Sequence, residues 1–225
     1  KNEMLYWVKE ENIDGFRCDV ADNVPATFWQ KAIPELKKVK PVFMLMESNK
    51  NYLLKDGLFD MAYGWEAHHV MNDINKGTKT VKDLDAVIEK ISKEYEKDDF
   101  FMNFTSNHDE NSWNGTEYEK YGVITKPMAV FSATWNGVPL LYSGQELPNM
   151  KRLEFFEKDV IKWTNTYQVA DFYKTLLDLK ASNPALRGVD ANVTTYLLNT
   201  TANDKFLAYV RKNGNDEVLV VLNMS

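Results

Sequence analysis

Asp14-Gly15-Phe16-Arg17-Cys18-Asp19-Val20 is the stretch that decides the fold. It reads as a short buried strand whose far end turns charged. Arg17 and Asp19 are two residues apart, so on a strand they point to the same face. There the guanidinium can hold the carboxylate ionised by charge and hydrogen bonding.

The pattern extends outward from this strand. Upstream, Met4, Leu5, Val8 and Ile13 at helical spacing make residues 2–11 an amphipathic helix, with Asn12 as its stop signal. Downstream, Pro25 and Thr27 open a helical stretch carrying Phe28, Trp29, Ile33 and Leu36, in which Pro34 is expected to break or restart the helix. Val42-Phe43-Met44-Leu45-Met46 is a continuous apolar strand ending at Glu47. The unit then recurs. Strands are expected at 58–63, 100–104 and 138–142, and helices at 80–95, 125–135 and 167–181. Five apolar strands alternating with helices predict a parallel sheet covered on both faces. After about residue 190 the texture changes. Thr194–Leu198, Phe206–Val210 and Val218–Leu222 read as strands without helices between them, and Asn213-Gly214-Asn215 reads as a hairpin turn. These strands look like the opening of an antiparallel β domain.

The bulk numbers are those of an ordinary globular chain: 225 residues, 44% hydrophobic and 27% charged. A net charge of −6 argues against a nucleic-acid partner, which needs a basic face. The single cysteine, Cys18, allows no intrachain disulfide. No apolar run approaches the roughly 18 residues of a membrane-spanning helix. The chain starts at Lys1 with no signal peptide, which leaves the compartment open.

Polar residues gather at the carboxyl ends of the expected strands: Arg17 and Asp19, then Glu47, then Asn107, His108 and Asp109. In parallel α/β architecture that is where ligands bind. Neighbouring strands lie about 4.8 Å apart, close to the roughly 5–5.5 Å that separates the carboxyl groups of a retaining glycosidase. A Glu beside an ionised Asp tends to keep its proton, which suits a general acid that later acts as base. Acids on successive strands can also hold Mg²⁺ or Zn²⁺. Arg17 beside Asp19 speaks against a cation there.

Taken together, four motifs resemble the α-amylase family of glycoside hydrolases, in the family's order and over nearly the whole chain. Gly15-Phe16-Arg17-Cys18-Asp19 resembles its nucleophile strand, Met46-Glu47-Ser48 its acid/base strand, and Phe104-Thr105-Ser106-Asn107-His108-Asp109 its transition-state-stabilising segment. Tyr142-Ser143-Gly144-Gln145-Glu146 resembles the last barrel strand and its loop. The resemblance implies a partial (β/α)8 TIM barrel, its C-terminal five β/α units over residues 1–188, with the start of a C-terminal antiparallel β domain over residues 189–225. It implies a retaining hydrolase of α-1,4-glucosidic bonds in starch or maltooligosaccharides. A glycosyl-transferring relative and a non-catalytic sugar-binding relative are the alternatives. By resemblance Asp19 is the nucleophile, Glu47 the acid/base and Asp109 the residue that holds the hydroxyls of the distorted sugar. Arg17, His108, Asn107 and Asn23 would contact or orient that site, and Trp65 and Trp113 would stack on glucose rings.

Two departures qualify this picture. Asn23 stands where many members carry a His that touches sugar on the leaving-group side. The family's first motif, often tied to calcium, does not occur in the sequence. No cofactor is expected for catalysis, and structural calcium is expected only in a part preceding Lys1. The chain is therefore expected to be a fragment with little activity alone. Its exposed sheet edges would favour self-association, and its substrate partner would be an α-glucan.

Overall fold

The computed structural model describes residues 1–225, except for the side chain of Asp56. Five strands, β1 (Gly15–Cys18), β2 (Phe43–Met46), β3 (Met61–Tyr63), β4 (Phe100–Phe104) and β5 (Val138–Leu140), form one sheet in sequence order. Every pairing is parallel. Glycine is required where β1 enters the sheet, because a Cβ on Gly15 would lie 2.0 Å from the Phe43 carbonyl oxygen. The strands are shorter than the apolar runs suggest, because the ladder ends where each chain turns toward its helix. β1 and β5 each have a partner on one side only, so the sheet is open at both edges.

The helices between the strands are α1 (Asn2–Lys9), α2 (Ala26–Val39), α3 (Trp65–Asn75), α4 (Val81–Glu94), α5 (His108–Trp113), α6 (Glu117–Tyr121), α7 (Thr125–Thr134) and α8 (Ala170–Ser182). α2 corrects the expectation for Pro34, since the helix runs through it without a break. Pro34 is exposed, while Trp29, Ala32, Ile33 and Leu36 of the same helix are buried. Packing on that face outweighs the roughly 3 kcal/mol that an interior proline costs. α4 starts at a capping box, in which Thr80 and Asp83 satisfy each other's backbone N–H groups. The sequence pattern did not reveal α3, α5 and α6. In α3 the buried face includes His68 and Asn72, which hides its apolar periodicity.

β6 (Thr194–Leu198), β7 (Phe206–Asn213) and β8 (Asp216–Asn223) form a separate antiparallel sheet. Asn213 pairs with Asp216 across a two-residue turn in which Gly214 takes φ +59°, the left-handed conformation such turns require. Leu207, Tyr209, Val220 and Leu222 of this sheet share one core with α3, α4 and α7. A second core lies between α1, α2 and the outer face of β1 and β2. A third lies on the opposite face of the barrel sheet and holds Met61, Tyr63, Phe100, Met102 and Phe104. The architecture is five consecutive units of a (β/α)8 barrel followed by the start of an antiparallel β domain. No helix among the described residues is long and apolar enough to cross a membrane.

Candidate active site

The register of β1 against β2 builds the centre of the site. Cys18 pairs with Met46, and the ladder continues one step further through the Glu47 N–H, which donates to the Cys18 carbonyl at 3.0 Å. Asp19 and Glu47 therefore leave neighbouring strands side by side. Arg17 lies one side-chain period below Asp19 and reaches both acids. Its Nη1 is 2.6 Å from Asp19 Oδ1 and its Nη2 2.7 Å from Glu47 Oε1. One guanidinium thus touches both carboxyl groups where they leave the neighbouring strands.

The environments of the two acids differ. The Asp19 side chain is 75% exposed and that of Glu47 12%. The Arg17 hydrogen bond holds Asp19 below the usual carboxylate range. Glu47 Oε2 accepts the Val20 N–H at 2.8 Å, so both Glu47 oxygens accept hydrogen bonds. The Val20 N–H is aimed by a left-handed backbone, φ 40° and ψ 51°, which is strained for a β-branched residue.

Tyr63 is the residue that the sequence reading missed. It ends β3 on the same face as Arg17, and its hydroxyl accepts the Arg17 Nε–H at 3.1 Å. The guanidinium carbon lies 5.6 Å from its ring centroid. Burial raises the Tyr63 phenol above its ordinary value, and the charges of Glu47 and Asp109 push it in the same direction. Acids from β2 and from the segment after β4 therefore act on one phenol at the end of β3. The signal was available in the alternation of Met61 and Tyr63, which turns Tyr63 inward at a strand end.

The segment after β4 holds the third acid. Asn107 is buried and caps α5, its Oδ1 accepting the Glu110 N–H at 2.8 Å. Its place in the structure is that of a helix cap, with Nδ2 left without a partner. His108 and Asp109 follow in the first turn of α5, their side chains 3.4 Å apart and 51% and 31% exposed. The motif after β5 supports this segment from below. Gln145 Nε2 donates to Thr105 Oγ1 at 3.1 Å and to Glu117 Oε1 at 2.6 Å, and its own Oε1 accepts the Tyr142 N–H.

The remaining sequence candidates divide. Asn23 is exposed in a short 3-10 turn, Ala21–Asn23, and makes no side-chain hydrogen bond to the acids. Trp65 is the first residue of α3. It is half-buried, with its ring stacked on His69 at 5.7 Å and edge-on to Phe104 at 4.9 Å. It lines a cavity of about 420 Å³ between α4 and β6, whose walls include none of the three acids. Trp113 ends α5 and is exposed. Its ring is 5.1 Å from Phe155, which in turn stacks near His108 at 6.3 Å. Phe155 and Phe156 extend this exposed aromatic group and were not anticipated. Two adjacent aromatics in the long segment after β5 were the only signal.

Fold and site together define a β/α-barrel protein whose site is built on carboxylates at successive strand ends. Comparison with known proteins places that class. No family model matches the chain. It is 29% identical over 216 residues to the α-amylase MalA of Haloarcula japonica, covering 94% of this chain and 31% of that protein. It is 24% identical over 232 residues to a maltogenic α-amylase of Bacillus acidopullulyticus, covering 98% of this chain and 39% of that one. Among solved structures, the maltogenic α-amylase AmyB of Thermotoga neapolitana superposes with a TM-score of 0.87 at 24% identity. That superposition covers 99% of this chain and 51% of AmyB, and it shows the shared fold. The chain is similar over nearly its whole length to α-amylases and related glycoside hydrolases. It spans between about 31% and 41% of the length of the curated relatives it matches.

Proposed function

We propose that the protein is a retaining glycoside hydrolase acting on α-1,4-glucosidic bonds of starch or maltooligosaccharides. The observation that carries this reading is the Arg17 guanidinium joining Asp19 and Glu47 across two neighbouring strand ends. Asp19, ionised and accessible, attacks the anomeric carbon while Glu47 delivers a proton to the departing glycosidic oxygen. Glu47 then takes a proton from the water that releases the sugar from Asp19, and the configuration is retained. Glu47 acts in its protonated form in the first step and as a carboxylate in the second. Asp109 and His108 hold hydroxyls of the reacting sugar, and the aromatic group around Trp113 and Phe155 offers faces for further rings. The reading needs no cofactor.

The test is hydrolysis of maltoheptaose by the full-length protein, with the anomer of the first product followed by NMR. The α-anomer should appear first. Glu47→Gln should abolish turnover and keep maltooligosaccharide binding. An unchanged rate in that variant, or an initial β-anomer, would overturn the reading.

A further inference from the structure

Beneath Asp109 lies a cluster of charges with no part in the chemistry above. His68, Glu110 and Lys120 have side-chain exposures of 0%, 5% and 4%. His68 Nε2 is 2.8 Å from Glu110 Oε2, and Lys120 Nζ is 3.1 Å from the same oxygen. Asn114 Nδ2 donates to the other Glu110 oxygen at 2.9 Å. With three donors around it, Glu110 is a carboxylate, held below its ordinary value by His68 and Lys120 against the cost of burial. His68 Nδ1 faces the Phe104 carbonyl oxygen at 2.9 Å, an atom that can only accept. Both ring nitrogens of His68 therefore face acceptors, while burial lowers the imidazole below its ordinary value. Asn72 Nδ2 stands 3.2 Å from Nε2, while Asn72 Oδ1 has no partner. An amide oxygen turned to that nitrogen would accept from the same proton.

The cluster ties three helices to the end of one strand. His68 belongs to α3, Glu110 to α5 and Lys120 to α6. His68 stacks on the Phe104 ring at 4.5 Å, and Lys120 Nζ donates to the Thr105 carbonyl at 2.8 Å. Glu110 is the residue after Asp109, and its N–H is held by the Asn107 cap. Both ends of Glu110 are thus fixed, and Asp109 has little freedom of its own. We infer that His68, Glu110 and Lys120 are positioning residues that lock α5 so that Asp109 meets the reacting sugar. This rests on the proposed role of Asp109 in glycoside hydrolysis. A buried charge cluster suits the task because each member is costly to leave unpaired, so the arrangement resists partial opening.

The experiment compares Glu110→Gln, Lys120→Met and Asp109→Asn in the full-length protein, with Glu47→Gln as the control on the underlying reading. Glu110→Gln and Lys120→Met should lower kcat on maltoheptaose roughly 10²-fold, the scale of a misplaced catalytic group, with KM within about twofold. In the Asp109→Asn background Glu110→Gln should cost nothing more, because the residue it positions is already disabled. Amide exchange should quicken in residues 107–113 and stay unchanged in β1 and β2. Multiplicative losses in the double variant, exchange that rises throughout the barrel, or wild-type kcat in both variants would overturn the inference. If either variant fails to fold, the milder Lys120→Arg, which keeps the charge but not the fit, decides by the same split. Activity surviving in Glu47→Gln would instead sink the hydrolase reading itself.

Discussion

Arg17 Nη2 lies 2.7 Å from Glu47 Oε1 while Nη1 of the same side chain holds Asp19. One planar group thereby contacts both acids of the proposed pair and holds Asp19 below its ordinary value. A lysine is a point charge and cannot span two acceptors in fixed geometry. Arg17→Lys should lower kcat/KM by roughly 10²-fold. The pH profile should move as well. Arg17 holds Asp19 low, so Asp19 stays ionised until the pH falls through its depressed value. Weakening that hydrogen bond lets the value rise, and the acid limb of kcat/KM should shift to higher pH. An acid limb that stays in place would count against Asp19 as the ionised partner.

Tyr63 gives Arg17 its third anchor through the 3.1 Å bond to Nε. Tyr63→Phe keeps the ring under the guanidinium and removes only that acceptor. The expected loss is roughly tenfold in kcat/KM, equal to about 1.4 kcal/mol, with the melting temperature nearly unchanged. Steady-state kinetics beside a thermal melt separates this from general destabilisation.

Val20 occupies the left-handed region at φ 40° immediately after the proposed nucleophile. Glycine adopts that conformation without the clash, although it gains freedom in the unfolded chain. The strain is of order 1–3 kcal/mol and the entropic offset about 0.5–1. Val20→Gly should therefore stabilise the protein by about 1 kcal/mol in urea unfolding. A loss of stability would mean that the Val20 side chain contributes more packing than its exposed position implies.

Glu117 is buried among Thr105, Gln145 and Tyr173, and burial raises its carboxyl above the ordinary 4.5. A raised value means that folding favours the neutral form. This contribution to stability is complete below the unfolded-state value and fades as the pH rises through the folded one. Glu117→Gln removes that dependence. Relative to the parent, the variant should gain on the order of 1–3 kcal/mol at pH 8 and gain least near pH 4. Denaturant melts across that range check the sign.

Much of this molecule is legible without coordinates. The apolar runs at Val42–Met46 and Phe100–Phe104 locate two strands, and the alternation of Arg17 with Asp19 fixes their common face. Boundaries were less legible, since β3 keeps only Met61–Tyr63 of the run from Leu58. There Asp60 bonds to Met44 through its backbone N–H and through Oδ2, which accepts the Met44 N–H in place of a ladder carbonyl. α3 escaped notice because polar residues on its inward face carry buried hydrogen bonds and ion pairs. That pattern looks like a loop until its partners are known. Trp65 opens α3, with its ring stacked on His69 and edge-on to Phe104.

The sequence by itself determined the order of the β/α units, the antiparallel ending and the resemblance to α-amylases. These follow from local periodicity and from residue types that neighbours along the chain constrain. Tertiary structure alone decided that Arg17 binds Glu47 as well as Asp19, that Tyr63 completes the site, and that His68, Glu110 and Lys120 lie together beneath Asp109. Each of these joins residues brought together by strand register or helix packing. Such contacts depend on distances across the fold, which separation along the chain does not encode.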